Sequence, residues 1–481
     1  MNSNANKKIF FFILFVLGTF ILLEFPLDPD FGWHLVSGRI IAETGSVPSH
    51  NLFSYTFQNY YWANSYWLVQ VLMHLFFSFG GSFLISLVFS LIISASFTYI
   101  FYIMSSYPTY ISSFVLVLYF LLLSLFNVSV RPLGFSTVLM VLIMFLIFYK
   151  QKYFFLTPLI FLLWANVHAD FLLGLFVFGT YVLFDSYAFW KKGNFSKLNV
   201  FNLLFVFLGV LLTFINPYGI NLWLTLLKET HPFQFTYIGE WTPLSFSKDL
   251  VLIVLYLMIS ICVFYNFYRK KGVQNTWYLL ISVFFALLAL RSQYFIRLFL
   301  VISVFSLLDM FYFAHNLLAR RLGVYFAKKL SFVIKFFFGF LFLYGIFNYS
   351  DVLAGSKDLR VWAAKKDYPY NAVTYLKEVP LTGNMYNNYQ WGGFLIWQLP
   401  THKTFIDGRM PSWRTETGES VFEDYINLET SPKDNLDLLE KYNIDWIIHT
   451  PNSSLVAYLR TSKNWETVYL DDVSIILVKK Y

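Results

Sequence analysis

The chain has 481 residues, of which 58% are hydrophobic and only 13% are charged, with a mean hydropathy of +0.58. Soluble domains carry roughly 25% charged residues, so this composition excludes a soluble enzyme and predicts a polytopic membrane protein. The net charge of +8 does not predict a nucleic-acid partner, because 21 of the 35 basic residues precede residue 351, against only 10 acidic ones, in a region where loop charges set orientation.

Apolar runs long enough to cross a bilayer core, which takes about 20 residues, recur through the first 349 residues. They lie near residues 9–26, 81–105, 110–127, 134–149, 153–167, 170–190, 198–215, 250–268, 276–290, 292–313 and 331–349. The pattern predicts a transmembrane domain over 1–349 with about eleven helices. We expect the first run to be a retained span, because no small-residue cleavage site precedes Asp28.

Charged residues divide unequally between the two faces of this domain. If the N-terminus is cytoplasmic, the loops on that side receive all but six of the 21 basic residues, which satisfies the positive-inside rule. The opposite face receives eight of the ten acidic residues. We therefore expect an integral, multi-pass protein of a bacterial cell membrane, with a cytoplasmic N-terminus and an outer face that carries the function.

After residue 349 the composition changes to that of a soluble domain. Short strand-like runs at 384–387, 403–407, 444–449, 466–470 and 473–479 alternate with helical patterns near 369–378, 390–398, 419–427, 434–442 and 453–460. Such alternation predicts a small α/β domain over 350–481. Under the orientation above, this domain is extracytoplasmic.

The first outer loop, residues 27–67, is polar and aromatic between apolar runs. Apolar residues at helical spacing predict a helix over 31–44, with Asp30 as its N-cap and Gly45 as a left-handed C-cap. A second helix, amphipathic or partly inserted in the membrane, is predicted over 65–79, ended by Gly80-Gly81.

Asp28-Pro29-Asp30 is the first candidate for chemistry, because the proline holds the two aspartates at a set separation. A carboxylate at a membrane face can accept the proton of an attacking hydroxyl, or hold a divalent metal ion against a phosphate. In the structural alternative, Asp30 only caps the helix and Asp28 only solvates the end of the first span. His34, one turn after Asp30, could share its proton or be an interfacial histidine whose hydrogen bonds are satisfied.

Three arginines are rare cations on the acidic face: Arg131, Arg291 and Arg297. The planar fork of a guanidinium is suited to gripping a phosphate, so together they predict a site for the phosphate of a donor. Each of them could instead extend toward lipid headgroups.

A polar cluster from Trp164 to Asp170 lies between two apolar runs that are too close to leave a long loop. Irregular backbone at membrane depth is tolerated where it lines a cavity. His168 and Asp170 are therefore candidate substrate ligands. They could instead bind a metal or orient one another, although two possible ligands are a weak signal for a metal. Glu240 and Trp241 follow in a long outer loop, where a carboxylate beside an indole could bind a sugar; a surface salt bridge is the alternative.

A series of motifs in fixed order spans nearly the full chain. It begins with DPDFGWHLVSGRIIAETGSVPSHNLFSYT at 28–56, and continues with RPLGFS at 131–136, LLWANVHADFLLG at 162–174, INPYG at 215–219, EWTPL at 240–244, YQWGGFLIW at 389–397 and FIDGR at 405–409. On these motifs the chain resembles multi-spanning bacterial members of the GT-C glycosyltransferase superfamily. That superfamily includes protein mannosyltransferases, aminoarabinose transferases and the catalytic subunit of oligosaccharyltransferase.

The resemblance implies a polytopic α-helical GT-C-like fold, a donor sugar on a polyprenyl phosphate, and transfer with inversion at the anomeric centre. It implies Asp28 or Asp30 as the base, and we favour Asp30 because the Trp33-His34 signature follows it. The YQWGGFLIW motif resembles the WWDYG region of oligosaccharyltransferase only loosely, because Gly392 or Gly393 replaces the acidic residue. The motif therefore does not support recognition of a peptide acceptor.

We predict a membrane glycosyltransferase that moves a sugar from a polyprenyl-phosphate donor to a glycan, lipid or protein acceptor on the extracytoplasmic face, with Asp30, Asp28 and His34 catalytic. Its expected partners are the donor, the acceptor and membrane lipids, without nucleic acid; a divalent metal ion is the one cofactor considered. The first alternative is a transporter or flippase of lipid-linked sugars, which internal repeats or paired broken spans would favour. The second is a non-catalytic binding protein of the same fold.

Overall fold

The computed structural model describes residues 3–25, 28–103, 109–125, 128–228, 233–245, 249–269 and 272–480. Within these residues the chain is mostly helical, with a small mixed sheet near its C-terminus. It divides into two compact units. Unit 1 comprises Met1–Glu24, Ile85–Gly219 and Phe235–Val352, and unit 2 comprises Phe25–Leu84, Ile220–Gln234 and Leu353–Tyr481.

Most of the helices before residue 358 follow the apolar runs of the sequence, because a helix satisfies its own backbone hydrogen bonds where water is excluded; α2, α9 and α10 lie outside those runs. They are α1 Ser3–Leu22, α2 Phe31–Thr44, α3 Trp67–Ile103, α4 Thr109–Ser124, α5 Leu133–Tyr149, α6 Thr157–Ala165, α7 Phe171–Lys191, α8 Lys197–Leu212, α9 Ile220–Lys228, α10 Gln234–Tyr237, α11 Leu250–Arg269, α12 Val273–Arg291 and α13 Tyr294–Lys357. Short 3-10 turns lie at Val128–Val130, Gln151–Leu156 and Gly239–Trp241.

Five helical segments in the described residues are long and apolar enough to cross a membrane, and the chain is an integral membrane protein. These segments are Trp67–Ile103, Phe171–Lys191, Leu252–Arg269, Val273–Arg291 and Tyr294–Leu317, and shorter apolar helices lie at Ile111–Ser124, Leu133–Tyr149, Gln151–Ala165 and Lys197–Leu212. The prediction of about eleven spans is confirmed only in part, because several predicted runs form helices shorter than the roughly 17–25 residues that a crossing takes.

Helices of unit 1 pack through small residues and buried aromatic rings. α6 packs on α8, and α7 packs on both α8 and α5. Gly174 in α7 lets the indole of Trp164 lie where a Cβ would overlap it, and Trp164 is fully buried. Small residues allow this close approach between membrane helices. The contact holds the short segment between α6 and α7, which carries His168 and Asp170.

In unit 2, α2 lies at the bounds predicted from the sequence. α2 ends at Gly45, which adopts a left-handed conformation (φ +67°) and donates its N–H to the carbonyl of Ile41 at 2.9 Å. The bounds of α2 and its glycine cap confirm the prediction. The predicted stop at Gly80-Gly81 is a break inside α3, where both glycines leave helical geometry (φ −154° and +64°) before the helix resumes.

The C-terminal part of unit 2 forms the expected small α/β arrangement. Its helices are α14 Leu359–Ala364, α15 Tyr370–Glu378, α16 Gly392–Gln398, α17 Val421–Thr430, α18 Asp437–Lys441 and α19 Ser454–Leu459, and its strands are β1 Asn384–Asn387, β2 Ile444–His449, β3 Trp465–Leu470 and β4 Ile475–Lys479. The sheet order is β1-β2-β4-β3, with β1 parallel to β2 and the other two pairs antiparallel. β2 is almost wholly buried, as a central strand covered on both faces requires.

The predicted strand over 403–407 is wrong. Within the described residues of that run, Thr404 forms an isolated β-bridge, and its partner is Ser54 of the first outer loop. The Thr404 N–H donates to the carbonyl of Phe53 at 2.9 Å, and the Tyr55 N–H donates to the carbonyl of Thr404 at 3.3 Å. Thr404 therefore pairs with the segment around Ser54, and the four-stranded sheet does not include this run.

Candidate functional site

The predicted acidic pair lies at the start of α2. Asp28 is 7% exposed, and its Oδ1 accepts the N–H of Asp30 at 2.9 Å. Asp30 occupies the N-cap position, as predicted, but its backbone is helical and its side chain caps no N–H of the helix. Its Oδ1 instead accepts the indole Nε1–H of Trp33 at 2.8 Å. The carboxylate is therefore oriented by a side chain, unlike that of an ordinary capping aspartate.

His34 is held by a buried polar chain. Its Nδ1 lies 3.0 Å from Nε2 of Gln70, and Oε1 of Gln70 accepts from Nδ2 of Asn64 at 2.6 Å. All three side chains are buried, so each hydrogen bond avoids the cost of an unpaired polar group. This geometry favours the alternative in which His34 is a satisfied histidine, and its catalytic role stays a prediction.

Glycines bring α16 against the segment that carries the acidic pair. A Cβ on Gly393 would overlap the carbonyl of Pro29, and a Cβ on Gly32 would overlap the carbonyl of Gly393. α2 and α16 approach this closely because these residues have no side chain. Gly393 of the YQWGGFLIW motif therefore has a packing role here.

Tyr368 is a buried neighbour of the acidic pair. Burial raises its pKa, and the negative charges of Asp28 and Asp30 raise that pKa further. Its ring stacks on Phe394, with the two centroids 4.9 Å apart. The phenol is therefore neutral near pH 7 and lies within electrostatic reach of both carboxylates. Sequence reasoning missed it, because one tyrosine among 34 carries no distinguishing pattern.

In unit 1, Asp170 and Arg297 form a buried ion pair. Nη2 of Arg297 lies 2.7 Å from Oδ2 of Asp170, and the side chains are 1% and 5% exposed. Nη1 of Arg297 donates to the Thr137 hydroxyl at 2.7 Å. Asp170 also accepts from the Tyr294 hydroxyl at 2.7 Å and the Ser136 hydroxyl at 2.9 Å. Charges at membrane depth are costly unless they are paired. The need of each charge for a partner of opposite sign was the sequence signal that could have linked Asp170 to Arg297.

His168 adjoins this ion pair. Its Nδ1 accepts the N–H of Asp170 at 3.1 Å and lies 3.4 Å from the carboxylate. Burial lowers the pKa of His168 to about 4, so the ring is neutral at pH 7 and the contact is not a salt bridge. In the part of the chain that the structure describes, no group of three or more His, Cys, Asp or Glu side chains could hold a metal ion. Substrate binding by His168 and Asp170 stays a prediction.

The EWTPL segment contacts two of the other candidate regions of unit 1. Nη1 of Arg131 lies 3.1 Å from Oε2 of Glu240, and the side chains are 18% and 41% exposed. The indole of Trp241 stacks on the ring of Tyr294, with centroids 4.7 Å apart and planes at 6°. Because Tyr294 also binds Asp170, the structure connects Trp241 to the buried ion pair. Glu240 is engaged in a salt bridge, as the structural alternative expected, and sugar binding by Glu240 and Trp241 stays a prediction.

The three candidate arginines have different surroundings. Arg297 is buried and bound by Asp170, so it does not extend toward lipid headgroups. Arg291 is exposed, and its guanidinium lies 4.9 Å from the ring of Phe235. Arg131 is partly exposed beside Glu240. The role of each in binding a phosphate stays a prediction.

No protein-family profile and no curated protein sequence matches the chain. Solved structures do match it. The archaeal oligosaccharyltransferase AglB from Archaeoglobus fulgidus, in complex with an inhibitory peptide and a dolichol-phosphate, matches with a TM-score of 0.55 and 10% identity, over 92% of this chain and 70% of that chain. ArnT from Cupriavidus metallidurans bound to undecaprenyl phosphate matches with a TM-score of 0.52 and 11% identity, over 99% of this chain and 98% of that chain. ArnT in the apo state gives a TM-score of 0.54.

At this level of identity the likeness concerns the fold, which does not by itself determine a reaction. Both relatives are GT-C glycosyltransferases, and the likeness extends over nearly the whole chain. The chain therefore has a GT-C-like fold.

Proposed function

We propose that this chain is a membrane glycosyltransferase that moves a sugar from a polyprenyl-phosphate donor to a hydroxyl of a glycan, lipid or protein acceptor on the extracytoplasmic face. The observation that carries the proposal is the orientation of the Asp30 carboxylate by the Trp33 indole, in place of a helix cap. The fold supports it, because AglB and ArnT were solved with dolichol-phosphate and undecaprenyl phosphate respectively.

Asp30 is the proposed base. The acceptor hydroxyl gives its proton to the Asp30 carboxylate while its oxygen forms a bond to the anomeric carbon of the donor sugar. The bond from that carbon to the phosphate oxygen breaks, and its electron pair leaves with the polyprenyl phosphate. Attack opposite the leaving group inverts the anomeric centre. A base must be correctly placed before its pKa matters, and the Trp33 hydrogen bond provides that placement.

Asp28 supports Asp30 in this proposal. Its buried carboxylate accepts the backbone N–H of Asp30 at 2.9 Å, so it fixes the backbone from which the Asp30 side chain extends. This is an Asx turn, in which an aspartate side chain accepts the backbone N–H of the residue two positions later. Asp28 is therefore a positioning residue for the proposed base.

Besides a base, the reaction requires cations near the leaving group, because the departing phosphate gains negative charge in the transition state. We assign this role first to Arg131 and Arg291, whose guanidinium groups are at least partly exposed. Arg297 is a second choice, because its side chain is 1% exposed and is bound by Asp170 and Thr137, whereas the partner of Arg131 is the exposed Glu240. A divalent metal ion could share the role, and loss of transfer in EDTA with recovery on adding Mg²⁺ or Mn²⁺ would establish it.

The test of the base compares Asp30→Asn with Glu43→Gln, which removes an exposed carboxylate near the other end of the same helix. Asp30→Asn should lower sugar transfer by roughly 10²-fold or more, whereas Glu43→Gln should leave it unchanged. Transfer is measured by mass spectrometry of envelope glycans from host cells that express each variant at equal levels. Full transfer by Asp30→Asn would contradict the proposal.

Two further outcomes distinguish the alternatives. Movement of lipid-linked sugar across proteoliposomes without transfer would favour a flippase. Binding of undecaprenyl phosphate, measured by native mass spectrometry, without any change in cellular glycans on deletion would favour a non-catalytic binding protein.

The cation assignment is tested separately with Arg131→Gln and Arg291→Gln. Each should weaken binding of undecaprenyl phosphate by about 10-fold, because a charge-assisted hydrogen bond is lost. Lys191→Gln, which removes an exposed cation at the end of α7, is the matched control. Unchanged binding by both arginine variants would remove the phosphate role from them.

A further inference from the structure

We infer that Gly408 and the Asp407–Arg409 pair, which belong to the C-terminal part of unit 2, position Asp30 for the proposed reaction. This inference rests on the proposed function. The FIDGR loop, Phe405-Ile406-Asp407-Gly408-Arg409, follows the residue that forms the bridge to Ser54. Three observations within unit 2 connect this loop to the carboxylate.

Gly408 lies directly against the Asp30 side chain. A Cβ on Gly408 would overlap Oδ1 of Asp30 and would lie 2.9 Å from Cγ and 3.4 Å from Oδ2. Those are the three nearest atoms, and all belong to Asp30. Gly408 does not have a positive φ, so its backbone conformation does not require glycine. Glycine is instead needed because the Asp30 carboxylate occupies the space that a side chain at position 408 would fill.

A buried ion pair folds the FIDGR loop around Gly408. Nε and Nη2 of Arg409 each lie 2.7 Å from an oxygen of the Asp407 carboxylate, and the Arg409 N–H donates to Oδ1 at 3.1 Å. The two side chains are 1% and 0% exposed. A bidentate pair fixes distance and plane together, so the backbone of Gly408 is held from both sides.

The sheet anchors the same loop. Asn387 of β1 accepts the N–H of Phe405 at 2.8 Å through Oδ1 and donates through Nδ2 to the carbonyl of Ile406 at 2.9 Å. Its side chain is fully buried. A buried amide with both ends bonded has no low-energy alternative position. The FIDGR loop is therefore a rigid support for whatever contacts it.

Arg409 reaches Asp30 by a second route. Its guanidinium faces four aromatic rings, with Cζ 4.8 Å from Phe53, 5.2 Å from Trp413, 5.3 Å from Trp62 and 6.0 Å from Trp33. Trp33 is the indole that donates to Asp30. Cation–π attraction favours this arrangement of rings around the guanidinium. The loop thus contacts the carboxylate through Gly408 and supports its hydrogen-bond donor through Arg409.

A thermal double-mutant cycle tests the contact without any substrate. In the full-length protein in detergent, Gly408→Ala should lower the apparent Tm by about 3 °C or more, because its methyl group overlaps the carboxylate. In the Asp30→Ala background the same substitution should lower it by less than about 1 °C, because the overlapping atoms are gone. An equal drop in both backgrounds would overturn the inference.

The second test concerns transfer. Gly408→Ala should reduce transfer to envelope glycans by at least about 10-fold, because misplacing a reacting group by about 1 Å can cost 10²-fold, while binding of undecaprenyl phosphate is unchanged. Gly418→Ala is the control: Gly418 has φ +90° and nothing within 4 Å of its Cβ position, so alanine strains the same region without touching Asp30.

The possible outcomes distinguish failure of the positioning role of Gly408 from failure of the proposed function. If Gly408→Ala keeps full transfer while Asp30→Asn abolishes it, the positioning role is wrong and the proposed function stands. If Gly418→Ala loses as much transfer as Gly408→Ala, the effect is general instability and the positioning role is also wrong. If Asp30→Asn keeps full transfer, the proposed function fails, and the thermal cycle still reports on the contact.

Discussion

Two buried Asp–Arg pairs, one in each unit, are built in opposite ways. The Asp170–Arg297 pair joins residues 127 positions apart and is surrounded by hydroxyl donors. The Asp407–Arg409 pair joins residues two positions apart, and its guanidinium faces aromatic rings. The first connects the start of α7 to α13, and the second shapes a single loop.

The difference shows that a buried salt bridge is defined by the other groups that contact its carboxylate. If its arginine is lost, Asp170 still accepts from Tyr294 and Ser136. If Arg409 is lost, the Asp407 carboxylate, which is 0% exposed, keeps one of the hydrogen bonds described for it, from the backbone N–H of residue 409. Because an uncompensated buried charge is the main cost of breaking such a pair, the local pair should be the more sensitive one.

The largest expected effect is that of Arg409→Gln. It should destabilise the protein by about 3–5 kcal/mol, because Asp407 remains buried without its cation. Chemical unfolding of the full-length protein in detergent measures the change, with Arg460→Gln at an exposed position as the control. A loss below about 1 kcal/mol would mean that water reaches Asp407 and that the pair is not closed.

Arg297→Gln should cost less, about 2–3 kcal/mol, because the hydroxyl groups of Tyr294 and Ser136 continue to stabilise the Asp170 carboxylate. The same unfolding experiment measures it. Should Arg297→Gln prove more damaging than Arg409→Gln, the contrast between the two pairs would be reversed, and the hydroxyl donors would not be the compensating groups.

Tyr294→Phe removes one of those hydroxyl donors. It should cost about 1.5–2 kcal/mol, since a hydrogen bond to a charged group is lost, while the stack on Trp241 can be kept by phenylalanine. Tyr187→Phe, at a 58% exposed residue, is the control. If the two variants are equally stable, the Tyr294 hydroxyl does not stabilise Asp170.

The smallest expected effect concerns Glu429, an acid whose side chain is 16% exposed and whose described ion-pair and hydrogen-bond partners include no guanidinium. Burial raises the pKa of Glu429 to about 7, although the Tyr386 hydroxyl donates to it at 2.8 Å. Burial lowers the pKa of its neighbour His449 to about 4, so their contact at 3.4 Å is not an ion pair at pH 7.

A raised pKa means that the folded state holds the Glu429 proton more tightly than the unfolded state does. This stabilisation is complete below about pH 4.5 and is lost as the pH rises through about 7. Glu429→Gln should therefore be more stable than the unmodified protein at pH 8 by on the order of 1 kcal/mol, and by clearly less at pH 5. Unfolding midpoints of both proteins at the two pH values measure this, and a difference that is the same at both would contradict it.

Local features could be predicted from the sequence. α2, with Asp30 at its start and Gly45 at its end, depends on spacing and cap residues within one stretch of chain. β1 at Asn384–Asn387 and β2 at Ile444–His449 were predicted at the observed bounds, because short strand-like runs between turn residues favour strands.

Features that depend on distant residues could not be predicted. The run containing Thr404 has a strand-like sequence, but its bridge partner, Ser54, lies in another part of the chain. The acids and cations of unit 1 were recognised singly; the cost of an unpaired charge indicated that each needs a partner, but which residues pair depended on the fold. Asp30 was recognised as a candidate, whereas Gly408, which contacts its carboxylate, carried no signal beyond that of a turn.

The backbone pairing between Phe53 and Thr404 imposes an order on biosynthesis. The two residues are 351 positions apart, and at roughly 5–20 residues per second the ribosome needs about 20–70 s to make the intervening chain. Until then the segment that contains Asp30 and Phe53 has been synthesised, but Thr404 and the FIDGR loop have not. A polypeptide that ends before Thr404 therefore cannot assemble the setting of Asp30, so maturation of this region waits for synthesis of the FIDGR loop.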